Sequence, residues 1–231
     1  MFTLMSCSVV IQSGKRKGLE CGRLSCCYHK SNAKQNPQQN SPMNEKNRIV
    51  RITTRPTIQN VKLHYEQLSD YTFTLPKTKN KGEVGLFLEK QLGIPASSAT
   101  LDCVDGEVKC FPLHESGKVK ESVAVTMMHK EFQIKKEAFE ESKVYQKLKK
   151  TLFIPYVRKG DEIRFFPCML FDESHPLFIH LKNDYLLLQN SPLTGRYGMY
   201  LQTRTKGPGH GSTSRAFYLR PHFLQKLINL V

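Results

Sequence analysis

Between Lys81 and Met127 the apolar residues change period, and that change limits the chain to folds in which a helix is laid against extended strands. In "KGEVGLFLEKQLGI", Val84, Leu88 and Leu92 recur at helical spacing, and Gly93 follows as a residue suited to the position just past a helix end. The runs "TLDC" and "EVKCFPL" read as strands on either side of Asp105-Gly106, a dipeptide favoured in two-residue hairpin turns, and "SVAVTMM" reads as a third strand after "HESGK". Further on, "SKVYQKLKKTLFIPYV" sets Val144, Leu148 and Leu152 on one helical stripe, with Lys147, Lys149 and Lys150 around the remainder, before running into a strand. "GMYLQTRTK" alternates, which puts Tyr200, Gln202, Arg204 and Lys206 on one strand face. A glycine-rich loop, "GPGHGSTS", separates it from the strand "AFYLR", and Pro221 is suited to the first turn of a last helix. The expected class is α/β, a mixed β-sheet flanked by helices.

Residues 1–60 carry none of this patterning. They contain ten Lys or Arg against two Glu, and the polar run "KSNAKQNPQQNSPMNEKN" has no periodic apolar face to offset the entropy of ordering. A basic, disordered tail over 1–60 and a folded domain over 61–231 are therefore predicted. Of the formal net charge of +15, the tail accounts for eight, so about +7 remains on the folded part, which suits a polyanionic partner. That charge would also suit an anionic membrane surface, but no apolar run approaches the roughly 20 residues of a membrane span, so a transmembrane reading fails, and no membrane partner is expected. The seven cysteines are irregularly spaced, including Cys21, Cys26 and Cys27 near His29, and read as free thiols of a reducing compartment rather than a disulfide framework or a zinc site.

The stretch "TLDCVDGEVKCFPL" concentrates charge between apolar runs. Glu107 and Lys109 are two apart in a strand and share a face. A two-residue turn at Asp105-Gly106 sets Asp102 opposite Lys109, so Asp102, Glu107 and Lys109 converge while Asp105 points to solvent at the tip. Two carboxylates beside a lysine suit phosphodiester hydrolysis: oxygen ligands for Mg2+, and an ammonium group to orient water or stabilise developing negative charge. Glu89, on the preceding helix, is placed to add a further metal ligand. The same spacing also fits an exposed cross-strand ion pair, and spacing alone leaves both readings open.

Taken in order, "KGEVGLFLEKQLGI", "LDCVDGEVKCFPL", "SKVYQKLKKTLFIPYV", "GMYLQTRTK" and "AFYLRPHFLQKLI" resemble the MutH family of DNA endonucleases over nearly all of residues 65–231. That family comprises the mismatch-repair nicking enzyme and related restriction enzymes that cut at GATC, with a restriction-endonuclease-like fold of two lobes around a DNA cleft. The resemblance implies a catalytic trio of Asp102, Glu107 and Lys109, and Glu89 as an accessory carboxylate, with Asp102, Glu107 and Glu89 as ligands of Mg2+. It implies DNA contacts by Lys81, Lys147, Arg204, Lys206 and Tyr218, the tyrosine lying beside the methylatable adenine. The interval from Asp102 to Glu107 is shorter than in the mismatch-repair enzyme, which keeps Asp105 in contention as the first metal ligand. The implied partners are double-stranded DNA and a MutL-like ATPase, with the protein monomeric or a transient dimer on DNA, in the cytoplasm with the nucleoid. The alternatives are a type II restriction endonuclease that cuts both strands and a non-catalytic DNA-binding relative.

Overall fold

The computed structural model describes residues 54–68, 71–80, 82–193, 195–206 and 214–230. Most of the expected tail, Lys81 and nearly all of the glycine-rich loop lie outside the described residues. The elements run α1 (Ile58–Glu66), β1 (Thr72–Thr74), α2 (Glu83–Gln91), β2 (Glu107–Leu113), β3 (Val123–Met127), α3 (Phe132–Lys135), a 3-10 turn (Phe139–Glu141), α4 (Lys143–Leu148), β4 (Lys150–Lys159), β5 (Glu162–Phe165), β6 (Met169–Asp172), α5 (Phe178–Gln189), β7 (Leu201–Thr205), β8 (Arg215–Leu219) and α6 (Pro221–Ile228).

Strand β4, the longest, organises the larger sheet. On one side β2 runs parallel to it, with Glu107 in register with Thr151 and Leu113 with Val157. On the other side β6 pairs antiparallel with its first half and β5 with its second, and β1 adds beyond β5. The smaller sheet is antiparallel, in the order β3-β8-β7. The result is the expected mixed α/β fold with open sheets flanked by helices, consistent with a restriction-endonuclease-like architecture.

Alternation along β4 divides the core. Leu152 and Ile154 point to a cluster with Ile58, Val61 and Tyr65 of α1 and Val84 and Leu88 of α2. Phe153 points to the opposite face, into a cluster with Phe111, with Val144 and Leu148 of α4, and with Phe223 and Leu224 of α6. Each such fully buried side chain stabilises the fold by about 1.5–3 kcal/mol, so both faces of the sheet are tied down by helices.

Several expectations change. The hairpin does not form: residues 98–105 are a bent loop, and β2 finds its partner about 40 positions later in β4. The helix after Ser142 ends at Leu148, and Leu152, expected on its stripe, is a buried residue of β4. Tyr200 does not share the exposed face of Arg204; it is buried in the second cluster. Helix α1 spans the boundary expected at 60/61: Thr57 caps it by accepting from Asn60 N, and Ile58 and Val61 are buried. Helix α2, with Gly93 at φ 69° just beyond it, and α6, with Pro221 in its first turn, lie where the sequence predicts them.

Candidate active site at the edge of the sheet

Strand β2 is an edge strand, so alternate backbone N–H groups face away from β4. The loop before it turns back to meet them. Asp102 Oδ2 accepts from Val108 N at 3.0 Å, and Glu107 Oε2 accepts from Asp102 N at 3.3 Å, so the Asp102 side chain and backbone are both bound to the start of β2. The loop is braced from outside by Arg55 Nη1, which donates to Leu101 O at 2.7 Å, and by Pro56 O, which accepts from Val104 N at 3.0 Å; within it, Cys103 N donates to Gly106 O at 3.0 Å. A Cβ at Gly106 would lie 2.5 Å from both Ile58 Cγ1 and Lys150 O. Glycine is needed there because α1 and β4 close over the loop, not because of a tight turn.

Asp105 takes a different place from Asp102. Its Oδ1 accepts from Ile58 N at 2.8 Å, in the first turn of α1, and its Oδ2 pairs with Lys150 Nζ at 2.5 Å. Rather than pointing to solvent from a turn tip, it ties the start of α1 to the start of β4. The Lys150 ammonium and the Ile58 N–H hold its carboxyl below the usual carboxylate range, against the opposing effect of partial burial, which is the largest single influence.

Glu107 is the most enclosed acid of the site, at 1% exposure. Lys109, two residues on and on the same face of β2, donates to Glu107 Oε1 at 2.6 Å. Lys147, in the last turn of α4, donates to the same oxygen at 2.6 Å. Glu89 comes from α2, which packs on β2, and is half-buried. Burial raises the Glu89 carboxyl, and the charges of Asp102 and Glu107 raise it further, with Lys109 opposing. Asp102 is likewise raised, by burial first and then by Glu107, while Lys109, the Val108 N–H and Lys147 pull the other way.

Among the described residues, no trio of His, Cys, Asp or Glu side chains is already gathered as a metal cage. The donor chemistry nevertheless fits a hard divalent cation: three carboxyl groups within electrostatic reach of one another, two of them raised by that proximity and by burial. Nucleophilic thiol chemistry does not fit. Burial pushes the Cys103 and Cys110 thiols up to about 12, which leaves no thiolate at neutral pH.

Residues 94–165 match the family described as DNA mismatch repair enzyme MutH. This segment is MutH-like. It covers just under a third of the chain and takes in Asp102, Glu107, Lys109 and Lys147, whereas Glu89, Arg204, Lys206 and Tyr218 lie outside it. No curated protein matches the chain.

The residues expected to touch DNA fall in two places. Lys147 joins the acidic group directly, through Glu107. Arg204 of β7 and Tyr218 of β8 belong to the smaller sheet, with the Arg204 guanidinium over the Tyr218 ring, 5.9 Å from its centroid. Lys206 follows β7 and is exposed, its backbone N donating to Ser214 O at 2.8 Å. Lys81 is outside the described residues. Sequence reasoning missed Arg55, which it assigned to the tail, and Lys150. The signal was present in Thr57 followed by Ile58, Val61 and Tyr65, a capped helix at i, i+3, i+7 spacing.

Among the described residues, no helix is long and apolar enough to cross a membrane.

Proposed function

We propose that the chain is a Mg2+-dependent endonuclease that hydrolyses phosphodiester bonds of duplex DNA at GATC-like sites, nicking one strand in mismatch repair. The observation that carries this reading is the convergence of Asp102, Glu107 and Lys109, joined by Lys147, inside the MutH-like segment. Asp102 and Glu107 would hold Mg2+, with Glu89 aiding directly or through water. The ion supplies polarisation of the scissile phosphate and compensation of its charge.

The protein's own groups have complementary tasks. Lys109 donates a hydrogen bond that orients the attacking water toward phosphorus. Glu107 positions Lys109 and Lys147 by accepting from both on one oxygen. Lys147, at the rim, meets a phosphate oxygen of the cut strand. Attack in line forms the new bond from the water oxygen to phosphorus and breaks the bond to the 3′-oxygen; the water's proton passes to solvent and the leaving oxygen takes one from solvent, giving a 3′-hydroxyl and a 5′-phosphate. On the smaller sheet, Arg204, Lys206 and Tyr218 read the duplex, with the tyrosine edge beside the adenine. Lys81 contacts the cleaved strand, and a MutL-like ATPase activates a protein that is monomeric, or transiently dimeric, on DNA near the nucleoid.

The test is cleavage of supercoiled plasmids, methylated and unmethylated at GATC, with and without Mg2+. The expected product is a nicked circle, formed only with the metal and favoured without methylation. Linear product would instead assign a restriction enzyme cutting both strands, and no cleavage of either plasmid would assign a DNA-binding relative without catalysis.

A further inference from the structure

A cleft of about 430 Å³ opens at the smaller sheet, remote in composition from the acidic site. Its walls carry four arginines, Arg196, Arg204, Arg215 and Arg220, together with Gln202, whose Nε2 donates to Ser122 Oγ at 3.1 Å. None of the ion pairs among the described residues involves these arginines. The carboxylate that acts electrostatically on Arg220, Asp184, is spent on backbone: it accepts from Met199 N, Tyr200 N and Leu201 N at 2.6–2.8 Å.

The two innermost arginines are incompletely satisfied. Arg215 donates through Nη2 to Leu193 O, and Arg220 through Nη2 to Tyr197 O at 3.1 Å. The Nε of each is buried and has no protein partner. Leaving a buried donor unpaired is costly, and gathering four like charges adds to that cost. Burial, with the charges of Arg196 and Arg204, holds the Arg220 guanidinium below its usual range against the pull of Asp184. An anion in the cleft offsets the gathered positive charge, and the two enclosed Nε–H groups feel its field without touching it. A carboxylate offers two oxygens in one plane, whereas the several donors here approach from the loop before β7, from strands β7 and β8, and from Arg220 at the start of α6, which matches the tetrahedral oxygens of phosphate.

We propose that this arginine cleft seats a phosphate group, and that in the working protein it is a backbone phosphate of duplex DNA held apart from the bond being cut. The assignment to DNA rests on the nuclease reading; the affinity of the cleft for phosphate does not. Such a contact fixes register and orientation without reading sequence.

The test has two arms on the full chain, both without Mg2+. In the first, arginine side-chain NMR follows the Nε–H signals of Arg215 and Arg220 as inorganic phosphate replaces chloride at matched ionic strength. Both signals are expected to shift, and Arg196→Gln, at an exposed position, is expected to weaken phosphate uptake about tenfold or more. Arg220→Lys keeps the charge but removes the fork, and is expected to lose uptake as well. In the second arm, affinity for a duplex is measured against salt, where loss of one phosphate contact lowers the slope of log K on log salt by about 0.9.

Silent Nε–H signals in the folded wild type overturn the proposal. Phosphate uptake with an unchanged slope in Arg196→Gln overturns the assignment to the DNA backbone. Phosphate uptake by a protein that binds no duplex supports the cleft and overturns the nuclease reading.

Discussion

Asp102 and Asp105 stand three positions apart and are used differently. Asp102 faces Glu107 and Lys109, whereas Asp105 is consumed by Ile58 N and Lys150 Nζ. Asp102→Ala is expected to lower the cleavage rate about 10²–10³-fold with duplex affinity retained. Asp105→Ala is expected to cost about 1–2 kcal/mol by releasing the helix N–H and the lysine, with cleavage by the folded protein near wild type. Rates from plasmid nicking and melting temperatures of both variants check this, and the reverse pattern would make Asp105 the metal ligand. The raised carboxyls give a second prediction. A carboxyl raised by folding binds its proton more tightly in the native state, so its favourable contribution is complete below the ordinary carboxylate value and is lost as pH climbs through the raised one. At neutral pH without metal, the charged forms of Asp102 and Glu89 therefore weigh against folding. Asp102→Asn and Glu89→Gln are each expected to raise Tm at pH 7 in EDTA, with the gain vanishing below about pH 4. A lower Tm at pH 7 would contradict the electrostatic account.

Among the elements, the short helix α4 brings Lys147 to Glu107, and Ser142 secures its start. Ser142 is buried, accepts from Tyr145 N at 3.1 Å and donates to Phe139 O at 2.6 Å. Ser142→Ala is expected to destabilise the protein by about 1 kcal/mol, lowering Tm by about 2–4 °C, as thermal melting would measure. Elements governed by local chemistry, such as α2 with its trailing Gly93 and α6 behind Pro221, were legible in the sequence. The hairpin was not. Asp105-Gly106 carries a strong local turn signal, but the backbone pairing of β2 with β4 and the closure of α1 over Gly106 depend on residues far along the chain. Asp102, Glu107 and Lys109 still meet, by a route other than the one their spacing suggested: Asp102 reaches the open edge of β2 from a loop instead of facing Lys109 across a ladder. Leu152 misled for a related reason, since one residue four positions past Leu148 satisfies a helical stripe and a strand face equally well.

For the whole molecule, residues 51–231 form one compact unit, and its first helix supplies Ile58, Val61 and Tyr65 to the core around Leu152 and Ile154. A protein beginning at residue 51 is expected to fold with the wild-type Tm and to keep cleaving DNA, while binding it with a weaker salt dependence because basic residues have been removed. One beginning at residue 67 is expected to lose cooperative unfolding, since the loop carrying Asp102 loses Arg55, Pro56 and Ile58 together. Circular dichroism melts of the two shortened proteins distinguish these outcomes. Gly106 carries a consequence for how freely such a sequence can drift. The space for its side chain is filled by α1 on one side and β4 backbone on the other, so each of the other amino acids brings the same offending atom, whatever its polarity or size. A selection for function from a library randomised at that codon should return glycine alone, while Gly117, with open space around it, should also return asparagine and aspartate.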